Sequence, residues 1–324
     1  MTDWRPNASF VALRQRAKVL AQIRHFFARR GILEVDTPVL SVATATDPHL
    51  ASFVTCYRET GVHQRRRLYS HTSPEFPMKR LLAAGAGPIY QLCKVFRNGE
   101  RGRFHNPEFT LLEWYQPNFD HHTLMDEMDA LLMELLDCPT AIRLSYREIF
   151  LQNLAIDPHQ ATIAELQKCV VALKINLITD LDSLDRDDWL DLLLTHRVVS
   201  SLGQKDRPTF VYDYPASQAA LARIRPGQPA VAERFEVYLN GVELANGFHE
   251  LSDSQEQRRR FEADRARRRH LGLPMIPLDE RLLEALNHGL PACAGVALGV
   301  ERLLMAILGA THIDEVMAFS IDRA

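Results

Sequence analysis

Cysteine is scarce in this chain of 324 residues, with five widely scattered residues and no CxxC pair, which excludes a disulfide framework and a zinc knuckle. The amino terminus has no basic stretch followed by an apolar one, so no export signal is predicted. The apolar run that ends near Ala310 is interrupted by Glu301 and Arg302, which leaves it too short to span a membrane. These absences predict a soluble, cytoplasmic protein.

The sequence also lacks a large excess of charge of one sign. It contains none of the common motifs for nucleotide binding or for a catalytic nucleophile. The formal net charge of −3 argues against a protein that coats nucleic acid through bulk charge. No GxGxxG, GxxxxGKS/T or GxSxG segment occurs, which excludes a Rossmann turn, a P-loop and the nucleophile elbow of α/β-hydrolases. The histidines, among them His121 and His122, show no HExxH or comparable spacing, so no structural metal is predicted. A nucleotide site in this chain would have to be built on a sheet.

The sequence does contain a regular succession of helix and strand patterns. Hydrophobic residues make up 46% of the chain and charged residues 24%, as in ordinary globular proteins. A first helix is predicted between an N-cap at Ser9 and Gly31. Its predicted apolar stripe, at steps of three and four residues, consists of Phe10, Leu13, Ala17, Leu20, Ile23 and Phe27. An edge strand is predicted around Pro38.

Strands are predicted at residues 89–96 and 109–115, joined as an antiparallel pair by a polar loop. The other predicted elements are a helical insertion over about residues 120–205, strands in RPTFVYDYP and RFEVYL, a charged helix from Ser254 to His270, a strand, glycine turn and helix in GVALGVERLLMAIL, and a closing strand in EVMAFS. This pattern indicates an α+β fold in which helices flank a mostly antiparallel sheet. We predict a single domain of residues 1–324.

Alternation along the strands groups the residues that could carry chemistry. One predicted strand face carries Phe109, Leu111, Glu113 and Tyr115. A second predicted face carries Asn246, Phe248 and Glu250, whose carboxylate could hold a cationic ligand. Arg97 and Arg302 are the candidate counter-charges, because guanidinium matches phosphate in a bidentate manner. Either arginine alone is more often an ordinary surface residue.

The dipeptide Asn240-Gly241 predicts a two-residue hairpin turn. In such a hairpin, Tyr238 lies opposite Glu243 and Glu236 lies opposite Ala245, so Glu236 and Glu243 share a face as diagonal neighbours. Two carboxylates at this spacing suit Mg²⁺, which completes its shell with water and phosphate oxygens. A solvated acidic hairpin would show the same pattern.

Three segments in order resemble motifs 1, 2 and 3 of the class II aminoacyl-tRNA synthetases, namely FFARRGILEVDTPVLS, FRNGERGRFHNPEFTLLEWY and GVALGVERLLMAI. The segment RFEVYLNGVELANGFHELSDSQEQ further resembles the lysyl branch. Because the motif 1 helix begins near residue 10, no anticodon-binding domain is expected. This truncation, together with the segment Ser73 to Phe76, is similar to the family of lysyl-tRNA synthetase paralogues that ligate lysine to elongation factor P.

The resemblance implies a homodimeric ligase that uses ATP and Mg²⁺, activates (R)-β-lysine as an adenylate and transfers it, without tRNA, to the ε-amine of a lysine of elongation factor P. The implied catalytic residues are Arg97 and Arg302. The implied ATP-binding residues are Arg97, Asn98, Gly99, His105, Asn106, Phe109, Glu243, Leu244, Gly299 and Arg302. The implied substrate-binding residues are Ser73, Pro74, Glu75, Glu113, Tyr115, Asn246, Glu250 and Ala297, and the implied metal ligands are Glu236 and Glu243.

Two positions depart from the family pattern. Gly99 stands where the family has a glutamate after Arg97 and Asn98, and Glu100 follows one place later, which bears on adenine selectivity. Ala297 stands where lysyl-tRNA synthetases have glycine, and its methyl group would disfavour α-lysine.

Two basic stretches are predicted to be solvated surface. Arg65 to Arg67 are predicted to lie in a loop, and Arg258 to Arg269 on a helix face with interleaved acidic residues. Docking of an acidic protein is the other interpretation of each stretch. Two alternative functions stay open at this point: a minimal lysyl-tRNA synthetase, and a non-catalytic synthetase-like regulatory subunit.

Overall fold

The computed structural model describes residues 4–61, 65–175 and 184–324. Its α-helices are α1 (Phe10–Ala28), α2 (Glu75–Ala83), α3 (His121–Leu136), α4 (Tyr146–Leu154), α5 (Ile163–Ala172), α6 (Arg186–Leu193), α7 (Ser254–His270), α8 (Glu280–Gly289) and α9 (Val300–Leu308). A π-helical turn at Leu194–Val198 continues α6. Within the described residues, no helix is both long and apolar enough to cross a membrane.

The strands are mostly antiparallel. They are β1 (Leu33–Glu34), β2 (Leu40–Ser41), β3 (Val54–Arg58), β4 (Arg65–Ser70), β5 (Ile89–Phe96), β6 (Glu108–Pro117), β7 (Ile142–Ser145), β8 (Thr209–Pro215), β9 (Ile224–Arg225), β10 (Val231–Leu239), β11 (Val242–His249) and β12 (Cys293–Gly299). The predicted α+β fold is thereby confirmed.

The chain forms two compact units, one made of Met1–Phe119 with Ser252–Ala324 and the other of Asp120–Leu251. The single domain predicted over residues 1–324 stays a prediction. So does the helical insertion at about 120–205: this range contains α3 to α6 but also the strand β7. Residues 176–183 of that range lie outside the described residues.

In the first unit the strands follow the order β1, β5, β6, β12. The pair β5 and β6 is antiparallel, as predicted, and β12 pairs antiparallel with the other edge of β6. One face of this sheet packs on α1, where the Phe27 ring stacks on Tyr90 with centroids 4.4 Å apart and meets the edge of Trp114 at 5.3 Å. The opposite face carries Glu113.

Helix α1 begins as predicted, because the Ser9 side chain accepts a hydrogen bond from the Ala12 N–H. Its buried stripe differs from the predicted one and consists of Ala12, Val19, Ile23, Phe26 and Phe27. Only Ile23 and Phe27 are common to both, and Phe10 is 70% exposed. The buried face of α1 is therefore rotated relative to the predicted one. Both Phe26 and Phe27 reach the core, which the spacing alone could not show.

A buried ion pair joins three elements of the first unit. Arg16 of α1 donates to Glu301 Oε1 of α9 at 3.0 Å and to Thr110 Oγ1 of β6 at 2.7 Å. The Thr110 N–H donates to Glu301 Oε2 at 2.8 Å. Since both carboxylate oxygens of the buried Glu301 are satisfied, its burial cost is offset by charge-assisted hydrogen bonds.

Three local predictions are wrong. The strand expected around Pro38 is replaced by the two-residue strands β1 and β2 on either side, since proline has no N–H to contribute to a ladder. The strand expected in EVMAFS is absent from the described residues, and a 3₁₀-helix at Ile313–Val316 takes its place. Arg65 to Arg67 lie in strand β4 rather than in a loop.

In the second unit the strands follow the order β11, β10, β8, β7, and β9 pairs with β10. The predicted hairpin of β10 and β11 turns at Asn240 and Gly241, whose φ angles of +49° and +74° suit a primed two-residue turn. A core of apolar side chains from α4, α5, α6, β8 and β10 fills this unit, with Trp189 and Phe150 among its largest members.

Candidate active site

Glu113 lies on the face of β6 opposite to the one that packs on α1. Its direct neighbours across the ladder are Gln91 on β5 and Ala297 on β12, so the three side chains share a face. The Glu113 carboxylate is 2% exposed, accepts a hydrogen bond from the Tyr115 hydroxyl at 2.6 Å and accepts another from the Ser73 hydroxyl at 2.7 Å. The shared face that alternation predicts for Glu113 and Tyr115 is therefore present.

A second carboxylate belongs to the same cluster. Ser73 Oγ accepts a hydrogen bond from the Glu75 N–H at 3.0 Å, and Pro74 lies at the N-cap position of α2. The buried Lys79 ammonium, 1% exposed, donates to Glu75 Oε1 at 2.6 Å. With two carboxylates and one ammonium, this cluster has a net negative charge when both carboxylates are ionised, and it is then suited to a cationic ligand group.

Burial and the nearby negative charge of Glu75 raise the pKa of Glu113 to about 7. The hydrogen bonds from Tyr115 and Ser73 and the charge of Lys79 oppose this shift only in part. A bound ammonium group would favour the ionised form of Glu113, so ligand binding and ionisation are coupled.

Glu113→Gln is expected to remove a pH-dependent contribution to stability. Because the folded-state pKa is about 7 and lies above the ordinary value, the wild-type protein loses stability as the pH rises from about 4.5 to about 7. The free energy of unfolding of the variant minus that of the wild type should therefore increase by about 1 to 3 kcal/mol between pH 5 and pH 8. Urea unfolding at four pH values measures it.

Glu108→Gln is the matched control, since Glu108 lies on the same strand with its side chain 48% exposed. The difference in the free energy of unfolding between Glu108→Gln and the wild type should change little with pH. A pH-independent difference for Glu113→Gln would contradict the raised pKa.

Arg97 follows directly after β5, beside the ring of Phe109. The guanidinium carbon lies 5.1 Å from the ring centroid, within cation–π range, and the buried Nε atom has no hydrogen-bond partner. Gly99 has a φ of +85°, where a glutamate would be strained. The carboxylate that the family pattern has directly after Asn98 belongs here to the next residue, Glu100, whose Oε1 lies 3.8 Å from Arg97 Nη1.

Arg302 and His105 form a second pair in this unit. Arg302 Nη2 lies 2.7 Å from His105 Nε2, and burial together with the Arg302 charge lowers the pKa of His105. His105 therefore accepts this bond as a neutral ring. Gly299 ends β12 and serves as the N-cap of α9, which places Arg302 in the first turn of the helix.

Asn106 is buried and held by the backbone. Its Nδ2 donates to the Glu108 carbonyl at 2.7 Å and its Oδ1 accepts from the Ile321 N–H at 3.1 Å. Asn98 lies in the exposed turn with Gly99, and its N–H donates to the Ala51 carbonyl at 2.7 Å. These bonds fix the polypeptide between β5 and β6 that carries His105.

In the second unit a bulge changes the predicted register of the hairpin. Tyr238 lies opposite Glu243, as predicted, but Glu236 lies opposite Asn246 and not opposite Ala245. Leu244 is the additional residue and is buried. The bulge leaves Glu236 and Glu243 on one face and adds Asn246 to that face.

The Glu236 carboxylate is buried and engaged by three donors. Arg234 Nη2 donates to Oε1 at 2.5 Å, while the hydroxyls of Tyr214 and Tyr238 both donate to Oε2. Arg234 Nε also donates to Asn246 Oδ1 at 3.2 Å. Glu250, buried at the end of the hairpin, forms an isolated bridge with Ala222.

Sequence reasoning missed three polar residues of these clusters. Lys79 could have been found from its i+4 spacing to Glu75 on a helix, and Arg234 from its position two residues before Glu236 on one strand face. Gln91 is buried and neither polar atom of its side-chain amide has a partner. Its only sequence signal is an amide within the mostly apolar strand β5, whose other polar residue is Lys94.

Comparison with known proteins identifies the family. A family model described as tRNA synthetases class II (D, K and N) matches residues 1–323. The chain is 57% identical over 322 residues, covering 99% of both proteins, to the elongation factor P (R)-β-lysine ligase of Vibrio vulnificus (strain YJ016). The class II synthetase domain predicted from three ordered motifs is confirmed, and the chain belongs to the class II tRNA synthetase family of the D, K and N type.

Proposed function

We propose that this chain is an ATP-dependent ligase that activates (R)-β-lysine as an adenylate and attaches it to the ε-amino group of a lysine of elongation factor P. The observation that carries the proposal is the carboxylate cluster formed by the buried Glu113 of the sheet and the partly buried Glu75 of α2, which suits an ammonium group of the amino acid. The 57% identity over 99% of a relative that carries this name supports the choice of substrate and acceptor.

The proposed reaction has two steps. The substrate carboxylate attacks the α-phosphorus of ATP in line, the bond to the pyrophosphate oxygen breaks, and pyrophosphate leaves. The ε-amine of the acceptor lysine then attacks the carbonyl carbon of the adenylate, AMP leaves, and an amide forms with loss of a proton. Arg97 and Arg302 would neutralise charge on the phosphate oxygens, and Phe109 would stack on adenine. No covalent enzyme intermediate is needed.

The remaining site assignments are part of the same proposal. Arg97, Asn98, Gly99, His105, Asn106, Phe109, Glu243, Leu244, Gly299 and Arg302 would bind ATP. Ser73, Pro74, Glu75, Glu113, Tyr115, Asn246, Glu250 and Ala297 would bind the amino acid. The Ala297 methyl group, next to Glu113 across the ladder, would narrow the space beside the bound amine.

Enzymes of this family use ATP with a divalent cation, and Glu236 and Glu243 are the proposed ligands. Glu236 already accepts three hydrogen bonds, which leaves about one of its four lone-pair directions. Glu243 shares this face, so in the proposal Glu243 is the principal ligand and Glu236 holds Arg234 in place. When bound, Mg²⁺ would supply neutralisation of phosphate charge.

ATP–pyrophosphate exchange tests the proposed function. (R)-β-lysine should support exchange more strongly than (S)-β-lysine or α-lysine, and only with elongation factor P should lysylated protein accumulate. Exchange that prefers α-lysine, with charging of tRNA, would indicate the minimal lysyl-tRNA synthetase. Absence of exchange with all three amino acids would indicate a non-catalytic subunit.

We further propose a homodimer formed through α1 and the neighbouring short strands. Phe10, Leu33 and Leu40 are large apolar residues of these elements that are exposed in the single chain, and β1 and β2 are edge strands of their sheets. A second copy of the chain on this surface would bury these apolar side chains and cover the open strand edges.

Light scattering at micromolar concentration should give about twice the chain mass of 36.9 kDa. Phe10→Lys should shift the protein toward the monomer, whereas Val171→Lys, at an apolar position 76% exposed in the second unit, should leave the mass unchanged. A wild-type monomer that is active at the same concentration would contradict the dimer.

The proposed compartment is the cytoplasm. All five cysteines are free thiols, as is usual in a reducing environment. The proposed acceptor is a protein, so no tRNA is expected as a partner.

A further inference from the structure

A second cluster of ionisable side chains lies within the unit formed by Asp120–Leu251. His121 is the first residue of α3, Glu233 lies on β10 and His249 ends β11. One candidate ligand atom from each of these residues lies within 4.8 Å of the others. His121 is 1% exposed and Glu233 6% exposed, so the cluster is almost completely removed from solvent.

The facing atoms of this cluster form two ion-pair contacts. His249 Nδ1 lies 2.8 Å from Glu233 Oε2, and His121 Nε2 lies 3.4 Å from Asp213 Oδ1. The second ring nitrogen of His121, Nδ1, is buried and has no hydrogen-bond partner. A buried polar atom without a partner is costly, and beside further donor groups it points to a missing ligand.

The outer oxygens of the two carboxylates are held by an arginine. Arg225 Nη2 lies 2.5 Å from Asp213 Oδ2, and Arg225 Nη1 lies 3.5 Å from Glu233 Oε1. Each carboxylate is thus anchored through one oxygen and directs the other toward the histidines. Carboxylates that bind metals are commonly oriented by such outer partners.

One cationic contact competes with a metal ion. Arg223 Nε lies 3.5 Å from Glu233 Oε2, but the Arg223 side chain is 53% exposed and can turn into solvent at little cost. Two imidazole nitrogens and one carboxylate oxygen form a ligand set that Zn²⁺ uses in proteins, with water in the fourth position.

We propose that His121, Glu233 and His249 form a binding site for a divalent transition-metal ion, with Zn²⁺ as the best match. The site is separate from the hairpin face that carries Glu236. Arg234 and Phe248 are paired on that face, and the adjacent residues Glu233 and His249 point to the other side by strand alternation. The ion would join α3 to strands β10 and β11.

The position of the site predicts its structural effect. His249 directly precedes Glu250, so a bound ion would fix the end of the strand from which the Glu250 carboxylate projects.

Isothermal titration of the metal-free, untagged full chain with Zn²⁺ tests the proposal. The wild type should bind one ion per chain with a Kd of about 1 µM or below, and the ion should raise the melting temperature. His121→Gln and Glu233→Gln should each weaken binding about 100-fold or more. His122→Gln is the matched control, since His122 is the exposed neighbour of His121, and should retain binding.

Cobalt absorption separates this site from binding by the free thiols. Co²⁺ bound to nitrogen and oxygen donors should give tetrahedral visible bands without the near-ultraviolet charge-transfer band of a thiolate. Circular dichroism of each variant establishes whether it is folded, and His249→Gln replaces any variant that is not. Failure of the wild type to bind Zn²⁺, or equal binding by the folded variants, would show that the cluster is an ion-pair network only.

Discussion

Glu250→Gln is expected to weaken binding of the amino-acid substrate about 30- to 1,000-fold while ATP binding is retained. The Glu250 side chain is buried and is proposed to pair with the distal ammonium group of the substrate. Loss of the partner of a buried charge costs about 2 to 4 kcal/mol, and about 1.4 kcal/mol corresponds to a tenfold change in affinity. Calorimetry with (R)-β-lysine and, separately, with ATP measures both affinities.

The control for this prediction is Glu262→Gln, which removes one negative charge from the exposed surface of α7. Both affinities should remain at the wild-type value in this variant. Unchanged amino-acid affinity in a folded Glu250→Gln variant would show that the distal ammonium is bound elsewhere, while loss of ATP affinity would show that Glu250 also organises the nucleotide site.

Ala297→Gly is expected to raise the activation of α-lysine relative to (R)-β-lysine about 10- to 200-fold, because a methylene-sized change in a pocket is worth about 1 to 3 kcal/mol. Ala297 lies in strand β12, directly across the ladder from Glu113. Removal of its methyl group would therefore widen the space next to the proposed amine-binding carboxylate. The measurement is kcat/KM for both isomers in pyrophosphate exchange.

Ala294→Gly provides a matched substitution on the opposite face of the same strand. Each glycine costs about 0.5 to 1 kcal/mol of strand stability, but only Ala297→Gly should change the ratio of the two substrates. A constant ratio in an active Ala297→Gly variant would place β-lysine selection at Ser73, Glu75 and Glu113 around the amine.

The basic stretch on α7 shows how far a charge pattern can be interpreted. As predicted, Arg259 and Arg260 pair with the interleaved Glu256, whereas Arg258 pairs with Glu280 of α8, which the pattern did not predict. Arg268 is different, since it is buried and donates to the carbonyls of Pro274 and Asp47. A helical period identifies the exposed face, but it does not show that a buried arginine contacts Asp47, 221 positions away.

The sequence by itself determined several of the elements and the family. The bounds of α7, the pairing of β5 with β6 and the turn at Asn240-Gly241 follow from periodicity and turn chemistry, which act over a few residues. The motifs around Arg97 and Arg302 identify the class II synthetase family because they are contiguous in the chain.

Only the tertiary structure decided which polar groups are buried together. Ser73 meets Glu113 across 40 positions, Tyr214 meets Glu236 across 22, and His121 comes near Glu233 and His249 although no ligand spacing in the sequence relates them. The bulge at Leu244 likewise shifts Glu236 from Ala245 to Asn246. Burial, hydrogen-bond partners and pKa values depend on the packing of segments distant in the chain, and local patterns contain no information about that packing.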